Sequence, residues 1–94
     1  MKEYLVDSLQ IINGNEIRSY VGCYSSKVKA AKVIREALKK TISEKAITRI
    51  FIAGHTYKSN YIPTVAKIVH SGYLRYEDVN GNEGCYSYSE FEVE

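Results

Sequence analysis

The chain has 94 residues, 45% of them hydrophobic, with 13 Lys and Arg against 11 Asp and Glu and a formal net charge of +2. That length holds one hydrophobic core, so the expectation is a single domain over residues 1–94 that folds without staples. No apolar run approaches the roughly 20 residues that cross a bilayer, and Met1-Lys2-Glu3-Tyr4 lacks the apolar stretch of a signal peptide, which points to a cytoplasmic protein with no membrane partner.

Residues 3–12 and 16–24 are rich in β-branched and aromatic side chains and flank Asn13-Gly14, a pair suited to the positive φ angles of a type I′ turn. They form a predicted hairpin with two registers open. A two-residue loop sets Val6 against Val21 and Tyr4 against Cys23, whereas a four-residue loop sets Leu5 against Tyr24 and Leu9 against Tyr20.

Ser25 or Ser26 can cap a helix over 27–40, in which Val28, Ala31, Ile34, Leu38 and Ile42 recur at three- and four-residue steps. The opposite face carries Lys29, Lys32, Arg35, Glu36, Lys39 and Lys40 and is expected to meet solvent. Ala46 to Ala53 reads as a central strand buried on much of both faces, ended by Gly54, and residues 54–60 read as a polar loop. Residues 62–71 suit either a short helix starting near Pro63 and stopping at Gly72, or a strand.

Residues 73–79 and 84–93 repeat the hairpin pattern around Asn80-Gly81, and tight pairing places Tyr73 opposite Tyr88 and Arg75 opposite Tyr86. Both hairpins contain Asn-Gly-Asn-Glu (13–16 and 80–83) and Gly-Cys-Tyr-Ser (22–25 and 84–87), which shared turn chemistry explains more simply than duplication. The elements give an α+β two-layer sandwich, a mainly antiparallel sheet with one long helix packed on it, in the order ββαβ(α)ββ. A ferredoxin-like arrangement is the alternative, although hairpins at both chain ends fit it poorly.

Charge is unevenly placed: residues 1–76 hold all 13 Lys and Arg against five acids, and residues 77–94 hold six acids and no base. In size and charge polarity, though in no motif, the chain resembles the small inhibitors that phages and mobile elements deploy against nucleic-acid enzymes such as CRISPR effectors. Cys23 and Cys85 are too few for a disulfide framework, so free thiols are expected. A Cys23–Cys85 bridge is the alternative, since both lie in the same tetrapeptide.

The sequence contains no phosphate-binding GxxxxGK[ST], no GxGxxG, HExxH or GxSxG and no zinc spacing, so no catalytic residue, metal or cofactor is assigned and a non-enzymatic role is expected. Three binding surfaces compete. The first is the C-terminal hairpin as a protein-binding face, where Tyr86 and Tyr88 alternate with serines beside Tyr73 and Arg75 and run into Glu90 and Glu92, an aromatic anchor with an acidic rim suited to a larger, basic partner. On this pattern Phe91 and Val93 point the other way and pin the strand to the core. The second is nucleic-acid binding through Lys29, Lys32, Arg35, Lys39 and Lys40, a basic helix face without an aromatic residue for base stacking. The third is a nucleotide or small-anion site built from Gly54, His55, Thr56, Lys58 and Ser59. The first ranks highest because it uses the nine tyrosines, the acidic end and the lack of catalytic motifs together.

Overall fold

The computed structural model describes residues 1–94 as β1 (Lys2–Ile12), β2 (Asn15–Tyr24), α1 (Lys27–Glu44), β3 (Ile47–Ile52), β4 (His55–Lys58), α2 (Val65–Ser71), β5 (Tyr73–Asp78) and β6 (Glu83–Glu92). The fold is α+β, as the sequence implies, with two helices rather than one long one. The six strands form one antiparallel sheet in the order β2-β1-β6-β5-β3-β4. The first and last strands, β1 and β6, pair inside the sheet and join the two hairpins.

Ser26 caps α1, its hydroxyl accepting from the Lys29 amide at 3.1 Å. The helix runs one turn past the expected end and buries Ala30, Ala31, Ile34, Leu38 and Thr41 against β1, β2 and β6. Val28, assigned to the stripe by spacing, is 46% exposed. Thr41 Oγ1 donates to the Ala37 carbonyl and lies 2.7 Å from the Tyr86 hydroxyl. A threonine has one hydroxyl proton, so Tyr86 is the donor in the second contact. Tyr86→Phe should therefore lower stability by only about 1 kcal/mol. Thr41→Val strands the Tyr86 proton in the core and should lower it by about 1–3 kcal/mol. Urea unfolding of the two variants checks the order.

Residues 62–71 resolve to helix. Thr64 caps α2 by accepting from the Lys67 amide, and Gly72 closes it in the left-handed conformation at φ 72. Seven residues make only two turns, too short for periodicity to separate helix from strand.

The first hairpin satisfies neither register throughout. Asn13-Gly14 makes the two-residue turn, which pairs Ile12 with Asn15 and holds as far as Asp7 opposite Tyr20. Val21 then bulges, and Val6 faces Gly22 and Tyr4 faces Tyr24. β3 is not central: it lies between β5 and the short edge strand β4, burying Ile47, Ile50 and Ile52 while Thr48 and Arg49 are exposed. Residues 54–60 are a loop only at their ends: β3 turns at Ala53-Gly54 (φ 52 and 76) directly into β4, and Ser59 and Asn60 form the next turn.

The second hairpin also departs from tight pairing. Asp78 accepts backbone N–H bonds from Asn80 and Asn82 at 2.9 and 3.0 Å, and the Asp78 amide donates to the Asn82 carbonyl. Gly81, at φ 79, completes a three-residue loop over 79–81. The shared Asn-Gly-Asn-Glu therefore builds two different turns, and an aspartate upstream selects the second. The two hairpin tips touch, the Asn13 amide donating to Asn82 Oδ1 at 3.0 Å.

No helix is long and apolar enough to cross a membrane. Both helices lie on one face of the sheet, and no element of the chain covers the other.

Candidate functional site

Loop length decides which side chains share a face. An odd loop shifts the β5/β6 register by one residue and exchanges the faces of one strand relative to the other. Tyr73 pairs with Ser87, Leu74 with Tyr86, Arg75 with Cys85 and Tyr76 with Gly84. The set Tyr73, Arg75, Tyr86, Tyr88, Glu90 and Glu92 is thereby split.

Tyr86, Tyr88, Glu90 and Glu92 alternate on the helix side. Tyr86 is buried at 9% exposure, and the Tyr88 hydroxyl donates to the Val69 carbonyl while its ring meets Tyr4 edge-on at 6.1 Å. Burial pushes the Tyr88 phenol up, with Glu90 adding to the shift. Tyr76 lies flat over Gly84, where a methyl group would collide with its ring, and burial followed by the neighbouring Tyr86 pushes its phenol up to about 12. The acidic row is engaged within the chain: Glu90 accepts from the Tyr4 hydroxyl at 3.1 Å and pairs with Lys2 at 3.5 Å, and Glu92 pairs with the N-terminal amine at 3.5 Å. Phe91 and Val93, expected to pin β6 to the core, are 40% and 37% exposed.

Tyr73 and Arg75 lie on the open face. Across the strands from β2 to β4 one row there reads Arg18, Leu9, Cys85, Arg75, Phe51 and Thr56. Beside it run Ile11, Glu83 and Glu77 on one flank and Asp7, Ser87 and Tyr73 on the other. The Arg75 guanidinium stacks over Phe51 at 4.1 Å from its centroid and binds Glu83 at 2.7 Å, both groups about one-third exposed. A shallow depression is lined by Leu9, Ile11, Tyr73, Arg75, Glu83 and Cys85. Cys23 and Cys85 are free; burial raises the Cys85 thiol, and the hydrogen bond to Glu3 raises Cys23.

The proposed anion residues separate as well. Gly54 sits in the β3/β4 turn, His55 faces the helix side opposite Ile52, and Thr56 and Lys58 face the open side opposite Phe51 and Arg49, with Ser59 just beyond β4. They form no single cradle.

Lys29, Lys32, Arg35, Lys39 and Lys40 all lie on α1, but two are compensated: Lys39 pairs with Glu36 at 3.3 Å and Lys40 approaches Glu44 at 4.0 Å. Lys29 Nζ donates to the Ser25 hydroxyl and Arg35 Nε to the Pro63 carbonyl. The aromatic group that the basic face lacks in sequence lies across α2. Tyr57 and Tyr61 stack with centroids 3.9 Å apart at 12°, and Lys67 Nζ binds both hydroxyls. Sequence reading missed this trio because β4, the 59–64 connection and α2 must reverse direction to assemble it. Two tyrosines four residues apart before Pro63 are its only trace.

No group of three or more His, Cys, Asp or Glu side chains gathers into a metal-binding cluster. The chain matches no protein-family model, no curated protein and no solved structure.

Proposed function

We propose that this chain is a small, non-enzymatic protein-binding module that docks a larger protein on the open face of its sheet. The observation that supports this most is the strip of Leu9, Ile11, Cys85, Phe51 and Tyr73, which no part of the chain covers. Of these, Tyr73 is 45% exposed and the others are half-buried. β1 is apolar on both faces, with Tyr4 and Val6 toward the helices and Leu5, Leu9 and Ile11 away from them, the pattern of a strand meant to be covered twice.

The charges on this face favour a protein over the other classes of partner. Five acids (Glu3, Asp7, Glu16, Glu77, Glu83) stand among four bases (Arg18, Arg49, Lys58, Arg75), a balance that repels a phosphate backbone and is too polar for lipid. Six strands at a spacing of about 4.8 Å and roughly 25 Å of strand length give a footprint of about 600 Å², near the roughly 800 Å² per partner of a standard interface. Glu3, Asp7 and Glu16 weight the β1/β2 half negatively while Arg49 and Lys58 weight the β3/β4 half positively. The partner therefore has an apolar centre and a rim that is basic on one side only. The basic partner expected from the acidic tail is retained for that half alone. Occluding a larger enzyme, as the small inhibitors it resembles do, is a use that suits such a face.

A photo-crosslinking residue at position 73, with position 28 on α1 as control, tests this in extract of the source cell. We expect a crosslinked protein from position 73, absent from position 28 and lost in the Leu9→Asp background. Crosslinks from both positions, or insensitivity to Leu9→Asp, would falsify the docking face. A mass for the isolated chain that doubles with concentration would make the partner a second copy.

A further inference from the structure

Lys67 Nζ lies 3.1 Å from the Tyr57 hydroxyl and 2.9 Å from that of Tyr61, and 5.1 and 5.5 Å from their ring centroids. An ammonium group has three protons and no acceptor, so both phenolic oxygens accept from Lys67 and their own protons must point elsewhere. Neither hydroxyl donates to another group of the chain, and the third ammonium proton is also uncommitted. Three donors thus sit within a few ångströms of one another around one positive charge. No carboxylate answers that charge, because Lys67 belongs to none of the ion pairs of the molecule. Hydrogen bonding first to Tyr61 and then to Tyr57 raises the Lys67 value, so the site stays cationic at neutral pH.

Its surroundings add positive charge. Arg35 is fixed by its Nε bond to the Pro63 carbonyl at 2.9 Å, two residues beyond Tyr61, and its terminal nitrogens face no carboxylate. Lys32, which belongs to no ion pair, shares a helical stripe with Arg35 at a three-residue step. Stacking fixes the two rings, so the hydroxyls are held in place before any ligand arrives.

We propose that Tyr57, Tyr61 and Lys67 form a binding site for a phosphoryl oxyanion. Three donors grouped around one positive charge can serve the oxygens of a phosphate group, and Arg35, held to the Pro63 carbonyl two residues beyond Tyr61, suits a dianion better than a monocarboxylate. The site lies on the helix side of the sheet, where Tyr57 stands opposite the buried Ile50, and it does not depend on the docking role of the open face. A free nucleotide presents phosphoryl oxygens as a monoester dianion and the backbone of a nucleic acid presents them as a series of monoanionic diesters, and experiment separates the two.

The test is a titration of the 15N-labelled chain followed by amide chemical shifts at constant ionic strength, with inorganic phosphate, adenosine monophosphate, a short single-stranded oligodeoxynucleotide and acetate as probes. Phosphate should produce saturable shifts confined to residues 57–67 and the adjoining turn of α1, and acetate should not. Lys67→Met should abolish them. Tyr57→Phe with Tyr61→Phe preserves the stack and removes both O–H donors, and should weaken binding by tenfold or more, about tenfold per charge-assisted bond. If the oligonucleotide binds more tightly than the monophosphate, and increasingly so at low salt, the natural source is a nucleic-acid backbone. If the monophosphate binds as tightly, it is a nucleotide. No saturable shift with any phosphate probe, equal shifts with acetate, or an unchanged titration in folded Lys67→Met would overturn the site.

Discussion

Replacing Ile34 with aspartate is expected to leave the chain largely unfolded in water. Ile34 is fully buried on α1 within a core that includes Ala30, Leu38, Val6, Leu74 and Tyr86. Loss of the aliphatic side chain removes about 2–4 kcal/mol, and a carboxylate placed there has no cation to meet, which adds several kcal/mol more. A domain of this size is stable by only about 5–14 kcal/mol, so the sum approaches the whole. Val28→Asp is the matched control. It stands in the first turn of the same helix at 46% exposure, where no acid is present and a negative charge meets the positive end of the helix dipole. Its unfolding free energy from urea titration should fall by less than about 1 kcal/mol, or rise. Folded Ile34→Asp with an unshifted midpoint would mean that α1 does not pack on this sheet.

How much of this was legible in the sequence differs from element to element. The long helix could be read because Ile34 and Leu38 repeat the helical period beside a capping serine, and the hairpins because Asn13-Gly14 and Asn80-Gly81 separate β-rich runs. β4 could not, since His55 to Lys58 is a polar edge strand whose partner is supplied only by the fold. The expectation that Tyr73, Arg75, Tyr86 and Tyr88 share one face fails for one local reason: Asp78 selects a three-residue loop, and a single residue of register moves Tyr86 and Tyr88 to the other side of the sheet from Tyr73 and Arg75. Alternation along β6 was legible, and the face to which it pointed was not. Nothing in composition shows that the acids at Glu90 and Glu92 are answered by Lys2 and the N-terminal amine, because β1 and β6 meet only in three dimensions.

Tyr88→Ala and Tyr73→Ala should separate fold from binding. Tyr88 packs its ring beside the core against Tyr4, lies beside Gly72, where a methyl group would touch its ring, and ties β6 to the last turn of α2 through the Val69 carbonyl. Truncating it opens a cavity between α2 and the sheet and frees that carbonyl, for a combined loss of about 2–4 kcal/mol. Tyr88→Phe keeps the ring and should recover all but about 1 kcal/mol of it. Tyr73 shares no core contact of this kind and is 45% exposed, so its truncation should leave the unfolding free energy within about 1 kcal/mol of the parent. As an aromatic anchor on the open face it should nevertheless weaken partner binding by about 2 kcal/mol or more. Partner binding by Tyr88→Ala, measured where the variant is still folded, should match the parent, because its side chain never reaches the open face. The reverse pattern, with binding lost in folded Tyr88→Ala and kept in Tyr73→Ala, would place the partner on the helix side and leave the uncovered sheet without a role.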